Sequence, residues 1–227
     1  MNTNFVLVFC LLHCTYAYNI SKYEKWVKPV NQAIAHPTSS IKLLKALSLQ
    51  AGGVFKICDK YQKHSALKGT PIHYAAELGK EVVINWFYKH GIPIDIKESF
   101  AITPLAQAKT FRTAQLLIKL GAQVNAQSCL GNTPLHRISY CGNIEVAKAL
   151  LLHGAQVNIK GYENKTPLHC VTNTAMAQLL IDNGADVNAI DIYGKKPIHE
   201  VATSALLSLE LLEVLLKAGA QINEPDN

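Results

Sequence analysis

The sequence predicts an all-α repeat solenoid, in which pairs of short helices stack along one axis. Two strings of residues recur in register along the 227-residue chain, and that regularity is the main evidence. The first string is Thr-Pro, then Leu or Ile, then His, with variants; it begins at Thr70, Thr103, Thr133, Thr166 and Lys196. The second is Gly-Ala-x-Val/Ile-Asn, reduced to a bare glycine in its first copy; it begins at Gly91, Gly121, Gly154, Gly184 and Gly219.

The residues of the two strings predict where helices begin and end, so the secondary structure of each repeat can be predicted in chain order. Threonine accepts a hydrogen bond from an orphaned backbone N–H and begins a helix, and proline suits the first helical position. Histidine in the first turn can bond back to the cap and to neighbouring loops. A second apolar helix follows and ends at the glycine through a left-handed cap. The residues after it predict an extended β-hairpin finger, so the unit is helix–turn–helix–β-hairpin, and only stacking buries its apolar faces.

These strings resemble the ankyrin repeat, whose period is 33 residues and whose signature is T-P-L-H-x-A. The resemblance covers residues 66 to 223 and implies a fold of stacked ankyrin repeats. We place five clear repeats at 66–97, 98–127, 128–160, 161–190 and 191–227.

The repeats differ in length in a regular way. From the threonine position to the glycine there are 21 residues in the first and third repeats and 18 in the second and fourth. The three missing residues fall where the two helices join. We therefore expect alternate repeats to project less far on the inner, concave side of the stack. Ala106 replaces the histidine in the second repeat and Lys196 replaces the threonine in the fifth. We expect both repeats to lose a stabilising contact.

The N-terminal part of the chain predicts two further segments. Residues 5–12 read FVLVFCLL, which is too short to span a membrane but fits the core of a signal peptide, so we place a signal peptide at 1–17. The alternative is a buried or disordered N-terminal segment. Residues 18–65 are assigned as a degenerate capping repeat with a long basic loop within 60–68. The mature chain is expected to be secreted or periplasmic if the signal is cleaved, and cytoplasmic otherwise, with no transmembrane segment.

The composition argues against catalysis and nucleic-acid binding. The formal charge is +6, yet only Arg112 and Arg137 among the 22 basic residues are arginines, which bind guanine and phosphate best. Four of the nine histidines belong to the repeat strings, and no nucleophile, zinc or phosphate-loop motif occurs. We therefore expect a non-enzyme without catalytic residues, cofactor or metal. Four cysteines follow the signal without a C-x-x-C pair; we expect free thiols, although an exported chain could oxidise them.

What remains is protein binding. In the ankyrin family, partners usually engage the finger tips and the exposed ends of the first helices, a concave face. Carried over by register, this resemblance implies a partner-binding set; it consists of Phe100, Leu130, Tyr140, Cys141, Tyr162, Glu163, Lys165, Ile192, Tyr193 and Lys195. The alternative for the apolar members is packing between adjacent fingers.

Two functions fit this sequence. The first is a monomeric interaction module that grips an unidentified protein and acts as an exported effector. Its composition and export signal make it similar to exported ankyrin-repeat proteins of host-associated intracellular bacteria. The second is a periplasmic structural or chaperone-like subunit that protects an envelope enzyme. The compartment in which the mature chain accumulates distinguishes them.

Overall fold

The computed structural model describes residues 28–36, 40–51, 69–203 and 208–222. The predicted signal peptide (1–17) and the predicted basic loop (60–68) lie outside these ranges.

The described residues form ten α-helices and three short 3-10 turns. The helices are α1 (Lys28–Ala35), α2 (Ser40–Ala51), α3 (Pro71–Glu77), α4 (Glu81–Lys89), α5 (Phe111–Lys119), α6 (Pro134–Cys141), α7 (Ile144–Leu152), α8 (Thr174–Asp182), α9 (Pro197–Thr203) and α10 (Leu209–Lys217). The 3-10 turns are Pro104–Gln107, Tyr162–Asn164 and Pro167–Cys170.

These elements stack in two layers in chain order. The first layer runs α1, α3, Pro104–Gln107, α6, Pro167–Cys170 and α9, and each member contacts the next. The second layer runs α2, α4, α5, α7, α8 and α10 in the same manner. One cluster of buried apolar side chains extends from Val30 in α1 to Leu215 in α10. Contact between neighbours therefore buries the apolar face of each helical pair, as expected for stacked repeats.

The N-terminal helices α1 and α2 pack against each other and continue the two layers onto α3 and α4. Val30 and Ile34 of α1 are fully buried. The assignment of residues 18–65 as a degenerate repeat remains a prediction, because residues 18–27 and 52–65 lie outside the described ranges.

The shorter repeats differ from the longer ones in their first helix. In the second and fourth repeats this helix is a four-residue 3-10 turn, Pro104–Gln107 or Pro167–Cys170, whereas α3 and α6 have seven and eight residues. The three missing residues therefore remove the last turn of the first helix, at the junction that the repeat spacing indicated.

The repeat histidines tie each helix start to the next repeat. In the first repeat, His73 Nδ1 lies 2.8 Å from Thr70 Oγ1 and accepts from Thr70 N at 3.2 Å. His73 Nε2 lies 2.9 Å from the carbonyl oxygen of Ile102, so this nitrogen carries the proton. His136 and His169 repeat this arrangement. The predicted bonds to the cap and to the neighbouring loop are confirmed.

The predicted left-handed helix ends are also confirmed, because the five glycines that end the second helices have φ between 82° and 98°. Non-glycine residues adopt such angles only at a cost.

The predicted β-hairpins are wrong, because the described residues contain no β-strand. Each finger is a five-residue turn closed by a bond from the N–H of its first residue to the carbonyl of its fifth, and the N–H of its fourth residue also donates to the carbonyl of its first. The closing distances are 2.8–3.1 Å; the fingers are finger 1 (98–102), finger 2 (128–132), finger 3 (161–165) and finger 4 (191–195). A ladder does not form because the polar groups that flank the fingers bond to the next repeat instead, mainly through asparagine side chains.

Candidate protein-binding face

The four fingers form a connected row. Cys129 N donates to Phe100 O at 2.9 Å and thereby joins finger 2 to finger 1. Ile192 N donates to Glu163 O at 3.0 Å and joins finger 4 to finger 3. Between fingers 2 and 3 the bond uses a side chain, since Asn132 Oδ1 accepts from Tyr162 N at 2.9 Å. Neighbouring tips are therefore held in position before any partner binds.

The apolar side chains of the predicted set project from this row. Five of them lie in the fingers, and each of these residues is between 36% and 55% exposed: Phe100, Leu130, Tyr162, Ile192 and Tyr193. The fingers thus contact one another mainly through polar groups while leaving apolar side-chain surface accessible. Isolated exposed apolar residues are ordinary, but a periodic set of them on one row of turns is not.

Two charged members of the predicted set are engaged within the protein. Lys165 Nζ lies 3.2 Å from Glu163 and 3.2 Å from Glu200, and all three side chains are largely buried. Tyr193 donates its phenolic O–H to Glu163 at 3.2 Å. Burial alone would lower the pKa of Lys165, but the two carboxylates raise it, so the ammonium stays charged. Glu163 and Lys165 therefore fix the shape of fingers 3 and 4. Lys195 is half-buried in finger 4.

Helix α6 contributes the remaining members. Tyr140 and Cys141 are exposed at its C-terminal end. Arg137 lies three and four residues before them, hence on the same face of the helix, and is half-buried. The sequence prediction omitted Arg137, although it is the arginine of the first-helix layer and follows the repeat histidine directly.

An asparagine ladder also escaped the sequence prediction. Asn125 donates to Gly154 O at 3.0 Å and accepts from Gln156 N at 3.0 Å. Asn158 and Asn188 make the same pair of bonds to the next repeat. Asparagine four residues after four of the five helix-ending glycines was the available signal; Asp95 takes this position after Gly91.

The described residues offer little for metal or thiol chemistry. They contain no group of three or more His, Cys, Asp or Glu side chains that could hold a metal ion. Of the cysteines described, Cys129 and Cys141 are exposed free thiols and Cys170 is a half-buried one. Burial raises the pKa of Cys170 to about 12, so its thiol stays protonated. No helix in the described ranges has the length and apolar character that crossing a bilayer demands.

Stacked helical pairs, with fingers that expose apolar side chains, define a helical repeat protein of the binding class. Family models described as ankyrin repeats in three copies match residues 72–161 and 105–191, which together span just over half of the chain. The chain belongs to the ankyrin-repeat family. Ankyrin repeats are generally protein–protein interaction modules and typically non-catalytic. No curated protein matches the chain.

Proposed function

We propose that this chain is a non-catalytic, monomeric interaction module that holds a protein partner along its concave face, made by the finger tips and the exposed ends of the first helices. The observation that carries the proposal is the connected row of exposed apolar tips, with Phe100 and Leu130 on one bonded pair of fingers and Tyr162 and Tyr193 on the other. Aromatic side chains that are already positioned make good interface anchors, because little conformational entropy is lost on binding.

The members of the predicted set have different roles in this proposal. Phe100, Leu130, Tyr162 and Tyr193 supply apolar contact, together with Tyr140 on α6 and Ile192. Glu163 and Lys165 support the tips rather than contact the partner, since each is satisfied internally. Cys141, which is exposed at the end of α6, and Lys195, which is half-buried in finger 4, complete the set.

Site-specific photo-crosslinking in the native cell tests this face. A photoreactive phenylalanine analogue at Tyr162 or Tyr193 should trap one discrete protein. The matched controls are Val82 in α4 and Leu152 in α7, which are 69% and 70% exposed but lie in the second-helix layer. Equal trapping from both layers would contradict the proposed face. Adding Phe100→Ala should weaken trapping from Tyr193, because the anchors share one partner.

We further propose that the chain is exported and acts as an effector, on the basis of the apolar segment 5–12 and the cleavage signal before residue 18. Fractionation of the native cell, with N-terminal sequencing of the purified chain, tests this. A chain that begins at residue 18 and reaches a host compartment supports the effector role. A processed chain retained in the periplasm favours a subunit that shelters an envelope enzyme, and an unprocessed Met1 contradicts export.

A further inference from the structure

Arg137 is a half-buried cation on the proposed face, and no carboxylate of the described residues forms an ion pair with it. Its guanidinium makes no hydrogen bond or ion pair with any residue that the structure describes, whereas its backbone N–H donates to Thr133 within α6. Lys165 on the same face differs, because two carboxylates lie 3.2 Å from it. The other arginine, Arg112, lies in α5 and lines an open groove of the second-helix layer. Of the two arginines, Arg137 is therefore the one whose guanidinium lies in the first-helix layer, on the proposed face.

Glu98, the acid on which the charge of Arg137 acts, has another hydrogen-bond partner. Glu98 is 9% exposed, and its Oε2 accepts from Gln107 at 3.1 Å. Burial raises the pKa of Glu98 to about 7, although the charge of Arg137 acts to lower it, so near neutral pH this carboxyl is only partly ionised. Glu77, which also faces Glu98, is paired with Lys109 at 3.4 Å. A partly ionised Glu98 leaves the charge of Arg137 incompletely balanced.

The surroundings of Arg137 suit a carboxylate ligand. Tyr140 lies one helical turn away on the same face and is exposed. The planar guanidinium can donate two parallel hydrogen bonds to one carboxylate. A half-buried cation gains more from such a pair than a fully exposed lysine does, because solvent screens the interaction less. The formal charge of the whole chain, +6, also favours an acidic partner.

We propose that Arg137 receives an aspartate or glutamate side chain of the partner, and that the bound segment is an acidic peptide with apolar residues beside the acid. The inference rests on the proposed function, since it names the chemistry of the partner for the same face. Arg137 sets specificity, whereas the apolar finger tips supply contact area.

Selection of random 12-residue peptides displayed on phage, with the full chain as bait, tests this without a known partner. Peptides that bind the wild type should be enriched in Asp or Glu flanked by apolar residues. Their affinity should fall roughly tenfold or more for Arg137→Gln. Gln107 occupies the same position in the preceding repeat, so glutamine is compatible with the fold there. Arg112→Gln is the matched control and should leave affinity unchanged.

Two further measurements separate the possible outcomes. Arg137→Lys should restore only part of the affinity, because lysine keeps the charge but loses the fork. Raised salt should weaken acidic peptides on the wild type far more than on Arg137→Gln. Peptides that need Phe100 and Tyr193 but show no acidic enrichment would overturn this inference and leave the proposed function standing. Peptides that bind regardless of the finger side chains, or no bound peptides, would count against both.

Discussion

The hydroxyl of Thr103 is buried without a hydrogen-bond partner because Ala106 stands three residues after it. In the first, third and fourth repeats the equivalent threonine lies 2.8–2.9 Å from the histidine at this position. An unsatisfied buried hydroxyl costs stability. The defect follows from one residue change and marks the second repeat as a weak place in the stack.

Ala106→His should therefore stabilise the protein by about 1 kcal/mol, because histidine would satisfy Thr103 and reach the carbonyl of Asn132. The fourth repeat has the same short first helix and accommodates His169, so the geometry is available. Urea unfolding followed by circular dichroism measures the change. The reverse variant, His136→Ala, should destabilise by about 1–3 kcal/mol, since it leaves Thr133 unpaired. An unchanged or lowered urea midpoint for Ala106→His would count against this account.

Asp95→Asn should also stabilise the protein. Asp95 occupies the position of the ladder asparagines and accepts from Gln123 N at 3.0 Å, but a carboxylate cannot donate to the carbonyl of Gly121. Asparagine would add that bond, worth about 1 kcal/mol.

The benefit of Asp95→Asn should depend on pH. Burial raises the pKa of Asp95 above its usual value, so the native carboxyl stabilises most when protonated and loses that contribution as pH rises through its native-state pKa. The gain should therefore be larger at pH 7 than at pH 4. Unfolding free energies at both values test this, with Asn158→Asp as the reverse change. A gain independent of pH would contradict it.

The repeat histidines should make the fold sensitive to mild acid. Burial lowers the pKa of His73 to about 4 and also lowers the pKa of His136 and His169. A histidine held neutral in the native state stabilises fully above its unfolded pKa of about 6.5 and loses this contribution as pH falls towards 4. The urea midpoint should fall over this window, and an NMR titration should show His73 protonating near pH 4. A flat midpoint between pH 7 and 4 in a Glu98→Gln variant, which lacks the opposing effect of Glu98, would contradict the assignment.

Glu98 provides the control for that experiment, because its effect has the opposite sign. Its native pKa is raised to about 7, so protonation between pH 7 and 4.5 stabilises the folded state. Glu98→Gln removes this compensation, and the midpoint should then fall more steeply on acidification than in the wild type.

The described cysteines should differ in reactivity. Cys129 and Cys141 are exposed, whereas burial raises the pKa of Cys170 to about 12. Alkylation requires the thiolate. With iodoacetamide at pH 8, peptide mass spectrometry should show Cys129 and Cys141 modified roughly tenfold or more faster than Cys170. Unfolding in urea should abolish the difference; equal rates in the native protein would contradict the burial of the Cys170 thiol.

The sequence correctly predicted the structural features that depend on residues close together in the chain. Thr-Pro starts, the histidine bonds to the cap and left-handed glycines each involve groups a few residues apart, and these features lie where the repeat strings placed them. The β-hairpins were wrong because an extended pattern such as Val124-Asn125 does not reveal its bonding partner. The asparagine bonds instead to Gly154 and Gln156 in the next repeat.

For the candidate face, too, the sequence predicted local features but not contacts between distant repeats. Which apolar residues project from the fingers followed from the repeat register. The internal pairing of Lys165 did not, because Glu200 lies 35 residues further along the chain and meets it only after two repeats stack. The charge of Arg137 likewise acts on His73 and Glu98, which belong to two earlier repeats, and the omission of Arg137 reflects that dependence.

Because long and short repeats alternate, repeats should be added to or removed from this protein two at a time. Backbone bonds join finger 1 to finger 2 and finger 3 to finger 4, while the Asn132 side chain joins the two pairs. Inserting a block of 63 residues, the distance from Thr70 to Thr133, would recreate every junction already present. Inserting a single repeat would place two fingers of the same kind side by side, a junction for which the chain holds no template. A pair of repeats, rather than a single repeat, is therefore the module to insert or delete when this protein is redesigned.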